Sequence, residues 1–145
     1  MQTPRFMQRD AVPLQSLYEH NYWLFRLVLP QPPADDDWYL LRADGRAPLY
    51  LRCIGRHAYT SEWLLGHFYP ARQQRRFAPD YRIRVYHDAR LAEAMIVDAH
   101  NLPVRELRAA KRAQNRALGE WLDYCRRHQY RLAEVAASAP LVDVA

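Results

Sequence analysis

His87 and Asp88 stand side by side after Tyr86, and an imidazole next to a carboxylate is a familiar acid–base or metal-binding unit. Consecutive strand residues point to opposite faces, so the two cooperate only where the chain turns. The same turn accounts for both without chemistry: Asp88 makes an Asx-type bond, His87 closes a hairpin, and this structural reading is favoured. Glu93 lies among Leu91, Ala92, Ala94, Met95 and Ile96. An exposed strand face is one explanation; on a covered face its carboxylate needs a cation, with Lys111 and Arg84 the candidates, and the two readings carry equal weight. Lys111 and Gln114 interrupt the apolar stripe of a C-terminal helix with Asn115 on its flank, and Asn21 interrupts that of an N-terminal helix. The favoured reading is hydrogen-bonded amides that fix helix register, with the Lys111 stem reaching water. The functional reading is a small polar pocket built from Asn21, Tyr86, His87, Asp88, Glu93, Lys111 and Asn115, with Lys111 as an anion contact.

A second constellation is electrostatic. Arg105, Arg108, Arg112 and Arg116 recur along one helix face as a candidate anion-binding surface, joined by Arg72, Arg75 and Arg76 upstream. Such a row could track a phosphate backbone, with steep salt dependence. Glu106, Glu120 and Asp123 share the helix, so an ordinary solvated face is preferred. The six histidines show no HxxxH, HxH or CxxC spacing, so no metal site is expected. No glycine-rich phosphate loop, nucleophile elbow or dinucleotide fingerprint is present, and no cofactor is implied.

The elements that must position these groups follow from pattern. Pro13 suits the start of a helix that Pro30, Pro32 and Pro33 stop, giving about 13–29 with Leu14, Leu17, Tyr18, Asn21, Phe25, Val28 and Leu29 on one face and Trp23 opposite. Strands are expected over 38–42 and 49–54, flanking a type I′ turn at Asp44-Gly45, then over 57–69, 80–87 and 91–97. Residues 70–79 read as an exposed loop. A second helix capped by Asn101, with Pro103 in its first turn, runs to about His128. Residues 133–145 read as a mobile tail. The fold class is α+β: a meander of about five antiparallel strands with one helix before and one after, in a single domain with its core over 13–128.

Composition bounds the rest. The net charge of +5 is unevenly spread. Residues 1–69 hold seven Arg and seven acidic residues, whereas 70–145 hold fourteen basic and nine acidic ones. That asymmetry favours an anionic partner without requiring one. Cys53 and Cys125 read as reduced, buried thiols, and the absence of a signal-like start or a long apolar run points to the cytoplasm, away from membranes.

Three stretches also carry a likeness to a known family: 17–30, from Leu17-Tyr18-Glu19-His20-Asn21-Tyr22 to Pro30; Arg84-Val85-Tyr86-His87-Asp88-Ala89 with Ala92-Glu93; and Lys111, Asn115, Leu118 with Glu120-Trp121-Leu122-Asp123-Tyr124-Cys125. Over about 13–128 the chain resembles the YqiB-like family of small bacterial proteins, a domain of unknown function (DUF1249), departing from its pattern at Tyr18 and Trp23. The resemblance implies one domain with this order of elements and brings no activity, ligand or catalytic residue.

Three functions are then weighed. The leading one is a non-catalytic accessory module that binds a protein partner or small anionic ligand, with Trp23, Trp63 and Tyr69 as contact aromatics. The alternative is a small enzyme using His87, Asp88, Glu93 and Lys111. The third is nucleic-acid binding through the arginine-rich second half.

Overall fold

The computed structural model describes residues 12–70, 75–96 and 99–137. Helix α1 spans Leu14–Val28, and strands β1 (Tyr39–Arg42), β2 (Leu49–Arg56), β3 (Thr60–Pro70), β4 (Arg75–Tyr86) and β5 (Leu91–Ala94) follow it. A 3-10 turn at Ala99–Asn101 leads to helix α2 (Val104–Arg127), and strand β6 (Arg131–Val135) comes after. Each helix is entered through a proline rather than a capping side chain. Pro13 and Pro103 hold the N-cap positions at φ −59° and −56°, and neither end has a side-chain cap. Asn101 therefore lies in the preceding 3-10 turn and caps nothing, contrary to the sequence expectation.

All six strands form one antiparallel sheet in the order β5-β4-β3-β2-β1-β6, so the meander has one strand more than expected. The extra strand is β6, whose last three residues fall in the stretch expected to be a tail. It returns along β1 with Arg131 opposite Arg42 and Val135 opposite Tyr39. Its residues are all exposed, which is why no alternating pattern marks it. The loop expected over 70–79 is also shorter: β3 runs to Pro70 and β4 begins at Arg75. The β1–β2 connection is a longer loop than the two-residue hairpin expected. Arg46 N–H bonds Ala43 O at 3.3 Å, and only Gly45 (φ 68°) takes a positive φ, so the turn is not type I′.

Both helices cover one face of the sheet. Leu41, Leu49, Leu51, Cys53, Trp63, Leu65, Ile83, Val85, Ala92 and Ala94 alternate inward and meet Leu24, Phe25 and Val28 of α1 and Leu118, Leu122 and Cys125 of α2. Each fully buried large side chain contributes about 1.5–3 kcal/mol of transfer free energy. Trp63, expected as a contact aromatic, is 2% exposed at the centre of this layer, 6.0 Å ring to ring from Phe25. Both cysteines are buried free thiols. On α2 the buried polar residue is Asn115, while Gln114 faces solvent: the inward face is turned slightly from the stripe read in the sequence.

Helix α2 ends in a Schellman motif. Gln129 adopts φ 60°, its N–H bonds Arg126 O at 3.0 Å, and Tyr130 N–H bonds Cys125 O at 3.0 Å. Tyr130 then turns into the core, its hydroxyl bonding Ala47 O at 2.8 Å, and the chain enters β6.

Candidate functional site

The residues expected to share a pocket divide among separate settings. Asn21 and Asn115 meet, as buried groups between the helices. Asn21 Nδ2 donates to Asn115 O (3.2 Å) and Oδ1 (3.3 Å). Asn115 Oδ1 also accepts the Ala94 N–H of β5 at 2.8 Å, and Asn115 Nδ2 donates to Lys111 O at 2.8 Å. One amide thus ties α2 to α1 and to the sheet edge. Gly119 allows the approach, since a Cβ there would lie 2.8 Å from Asn21 Oδ1.

Tyr86 and Glu93 lie on the sheet face away from the helices, where Tyr86 OH donates to Glu93 Oε1 at 2.6 Å. Tyr18 of α1 reaches the same carboxylate; burial first, then Glu93, pushes its pKa up to about 12. Arg84 pairs with Glu62 at 2.8 Å rather than with Glu93. Lys111 contributes its backbone to Asn115, and its ammonium has no partner among the described residues. His87 and Asp88 occupy a turn completed by Arg90 at φ 56°. The side-chain partner of His87 is Ser61, with Nε2 and Oγ 2.9 Å apart. Trp63 Nε1–H also donates to Ser61 Oγ, at 2.7 Å. Ser61 had no signal in the sequence: a lone serine on a strand is indistinguishable from a solvated one until its neighbours are known.

The arginine row divides as well. Arg105 and Arg108 are exposed, whereas Arg112 donates to Val12 O and Arg116 lines the seam between the helices. The side chains of Tyr69, Arg75 and Arg76, and all of Arg72, lie outside the described residues.

Three clefts lined by described residues do not include His87, Asp88, Glu93 or Lys111. A seam of about 270 Å³ between α1 and α2 holds His20, Asn21, Asn115, Arg116 and Asp123. An apolar groove of about 630 Å³ runs between the ends of both helices and β6, along Leu27, Leu29, Pro30, Tyr130 and Leu132. Its only charged lining residues are Arg126 and Arg131. Trp23 (60% exposed) and Leu27 (57%) stand one helical turn apart beside it. The third cleft, about 490 Å³, is polar and lies between the β1–β2 turn and the end of α2. Among the described residues no three His, Cys, Asp or Glu side chains converge as metal ligands, and no helix is long and apolar enough to cross a membrane.

The family model described as a protein of unknown function (DUF1249) matches residues 24–131, and the chain belongs to that family. Comparison with curated proteins and with solved structures gives no match.

Proposed function

We propose that the chain is a non-catalytic binding module that receives an apolar, acidic segment of a partner protein on the Trp23–Leu27 face of α1 and the groove beside it. The observation that carries this reading is the pair of large apolar side chains left in water one turn apart, continuous with an apolar groove. Isolated exposed hydrophobics are common on protein surfaces, but adjoining ones beside a groove favour contact. Charge complementarity chooses the partner: the groove is lined by Arg131 and by Arg126, which is paired with Asp123, and by no acid, so an amphipathic segment carrying Asp or Glu fits it at Arg131. Against an enzyme reading stands the dispersal of His87, Asp88, Glu93 and Lys111 over different settings. Against nucleic acid stands the division of the arginine row, of which Arg105 and Arg108 are exposed while Arg112 and Arg116 are half-buried.

The test compares capture by the unaltered chain with that by Trp23→Asp and Leu27→Asp, identifying and mapping whatever is bound. Both variants should lose a captured acidic segment at unchanged melting temperature, because neither side chain is in the core. Equal capture by all three chains overturns the reading. A concentration-dependent dimer that both variants abolish assigns the surface to a second copy instead.

A further inference from the structure

We propose that the cleft formed by Arg42, Arg46, Arg127, His128, Gln129 and Arg131 binds the phosphate group of a small phosphomonoester. This goes beyond the partner surface above, which it adjoins only at Gln129 and Arg131. Four of the eight lining residues are arginines, from three different elements, and only Asp44 is acidic; Arg127 pairs with Asp123 outside the cleft at 3.1 Å and Arg42 with Glu134, which leaves Arg46 and Arg131 as the two without an acid.

Two features set it apart from a chance gathering of surface arginines. First, Arg42 and Arg131 are direct cross-strand partners at the β1–β6 edge. Like charges placed opposite each other cost stability unless something lies between them. Arg42 offsets this through Glu134 at 2.6 Å, but Arg131 has no hydrogen bond or ion pair among the described residues. Arg46 meets no acid either: it donates to Tyr124 OH at 2.9 Å and stacks 5.5 Å over that ring. Such contacts hold the guanidinium in place and leave donors for a ligand.

Second, Gln129 occupies the left-handed position of the Schellman motif, where glycine is unstrained. Gln129 lines the cleft. A strained non-glycine residue at the edge of a charged cleft is an observation from which function is properly inferred. Helix capping does not explain the arginines. The Cys125 and Arg126 carbonyls are already taken by Tyr130 and Gln129 N–H groups, and Arg42, Arg46 and Arg131 do not belong to the helix. His128 answers to the same field: its pKa is lowered by partial burial and then by Arg46 and Arg127.

Titration of the full chain with inorganic phosphate and with glycerol 3-phosphate, followed by calorimetry and by the His128 ring resonances, tests this. Saturable one-site binding is expected, with the His128 pKa rising as the anion offsets Arg46 and Arg127; Asp44 and Tyr124 are the other titratable groups beside it. Arg46→Gln and Arg131→Gln should each weaken binding about tenfold or more. Arg105→Gln removes an equal charge elsewhere and should leave the affinity unchanged. Lack of saturation at low salt, or equal weakening by Arg105→Gln, overturns the proposal. Sedimentation with phosphatidylcholine vesicles, with and without phosphatidic acid, separates the sources of phosphate. Binding to the vesicles alone, with none to either soluble anion, also overturns a small-molecule ligand. Circular dichroism melts identify any variant that fails to fold, for which Arg131→Lys, retaining charge but not the guanidinium fork, is the substitute and should bind less tightly than the unaltered chain.

Discussion

Asn115 is the residue on which the helix layer and the sheet edge agree. Its carbonyl accepts from Ala94 and Asn21, and its amide donates to Lys111 O. Asn115→Ala strands the Ala94 N–H without a partner, at a cost of about 2 kcal/mol. The expected outcome is a melting temperature several degrees lower, together with faster hydrogen exchange at Ala94 than elsewhere in the sheet. Asn21 and Asn115 were both legible in the sequence as polar residues in or beside apolar stripes. That they satisfy each other was not, since helix periodicity fixes a face and not a partner.

Titrations of buried groups bear on the alkaline side of the fold, Cys125 and Tyr18 among them. Burial pushes the Cys125 thiol up to about 12 from its ordinary 9.0, and Tyr18 rises to about 12 from 10.0. The folded chain therefore holds protons that the unfolded chain releases, so stability is full below pH 9 and declines as pH rises from there through about 12. Denaturant melts across that range should show the decline. In Cys125→Ala the decline above pH 9 should be shallower, because that thiol no longer contributes while Cys53, also raised by burial, still does.

At the scale of elements, Gly119 decides how closely the helices approach. Alanine there improves helix propensity by about 1 kcal/mol in isolation. In place, its Cβ would lie 2.8 Å from an Asn21 oxygen whose side chain is fixed by Asn115. Gly119→Ala is therefore expected to lower the melting temperature despite its better propensity, and pairing it with Asn21→Ala should recover much of the loss. Gln129→Gly should act in the opposite sense, stabilising by about 1 kcal/mol through relief of the left-handed conformation. Both effects are read from thermal melts.

The helices were legible because proline marks their starts and a 3.6-residue stripe their length. The central strands were legible from alternation. Strand β6 was not, because an edge strand exposed along its whole length has no periodicity. The early start of β4 was hidden by residues whose composition reads as loop. The burial of Trp63 is hidden for a related reason: alternation tells which residues share a face, and only the packed helices tell which face is covered.

For the whole molecule, the excess positive charge read in the second half of the sequence is not spread as a single stripe. Part of it is neutralised by Glu62 and Asp123, part faces solvent on α2, and part joins Arg42 and Arg46 of the first half where α2 meets β1 and β6. Net charge was legible; this distribution depends on a strand the sequence concealed. Raising ionic strength should therefore weaken anion binding while leaving the melting temperature little changed, since the exposed ion pairs contribute little to stability.

The pairing of β6 with β1 also sets an order of events in synthesis. Arg42 and Glu134, which bond across that ladder, are 92 positions apart. Strand β1 can pair with β2 soon after both emerge from the ribosome, but its other edge stays open until nearly all the described chain has been made. During that interval the nascent protein presents an unpaired strand, the kind of edge that chaperones hold and neighbouring chains invade. The last residues of the sheet thus act as its closing latch, and a chain stopped before Arg131 should be recovered as aggregate or chaperone-bound, even though most of the hydrophobic core precedes that point.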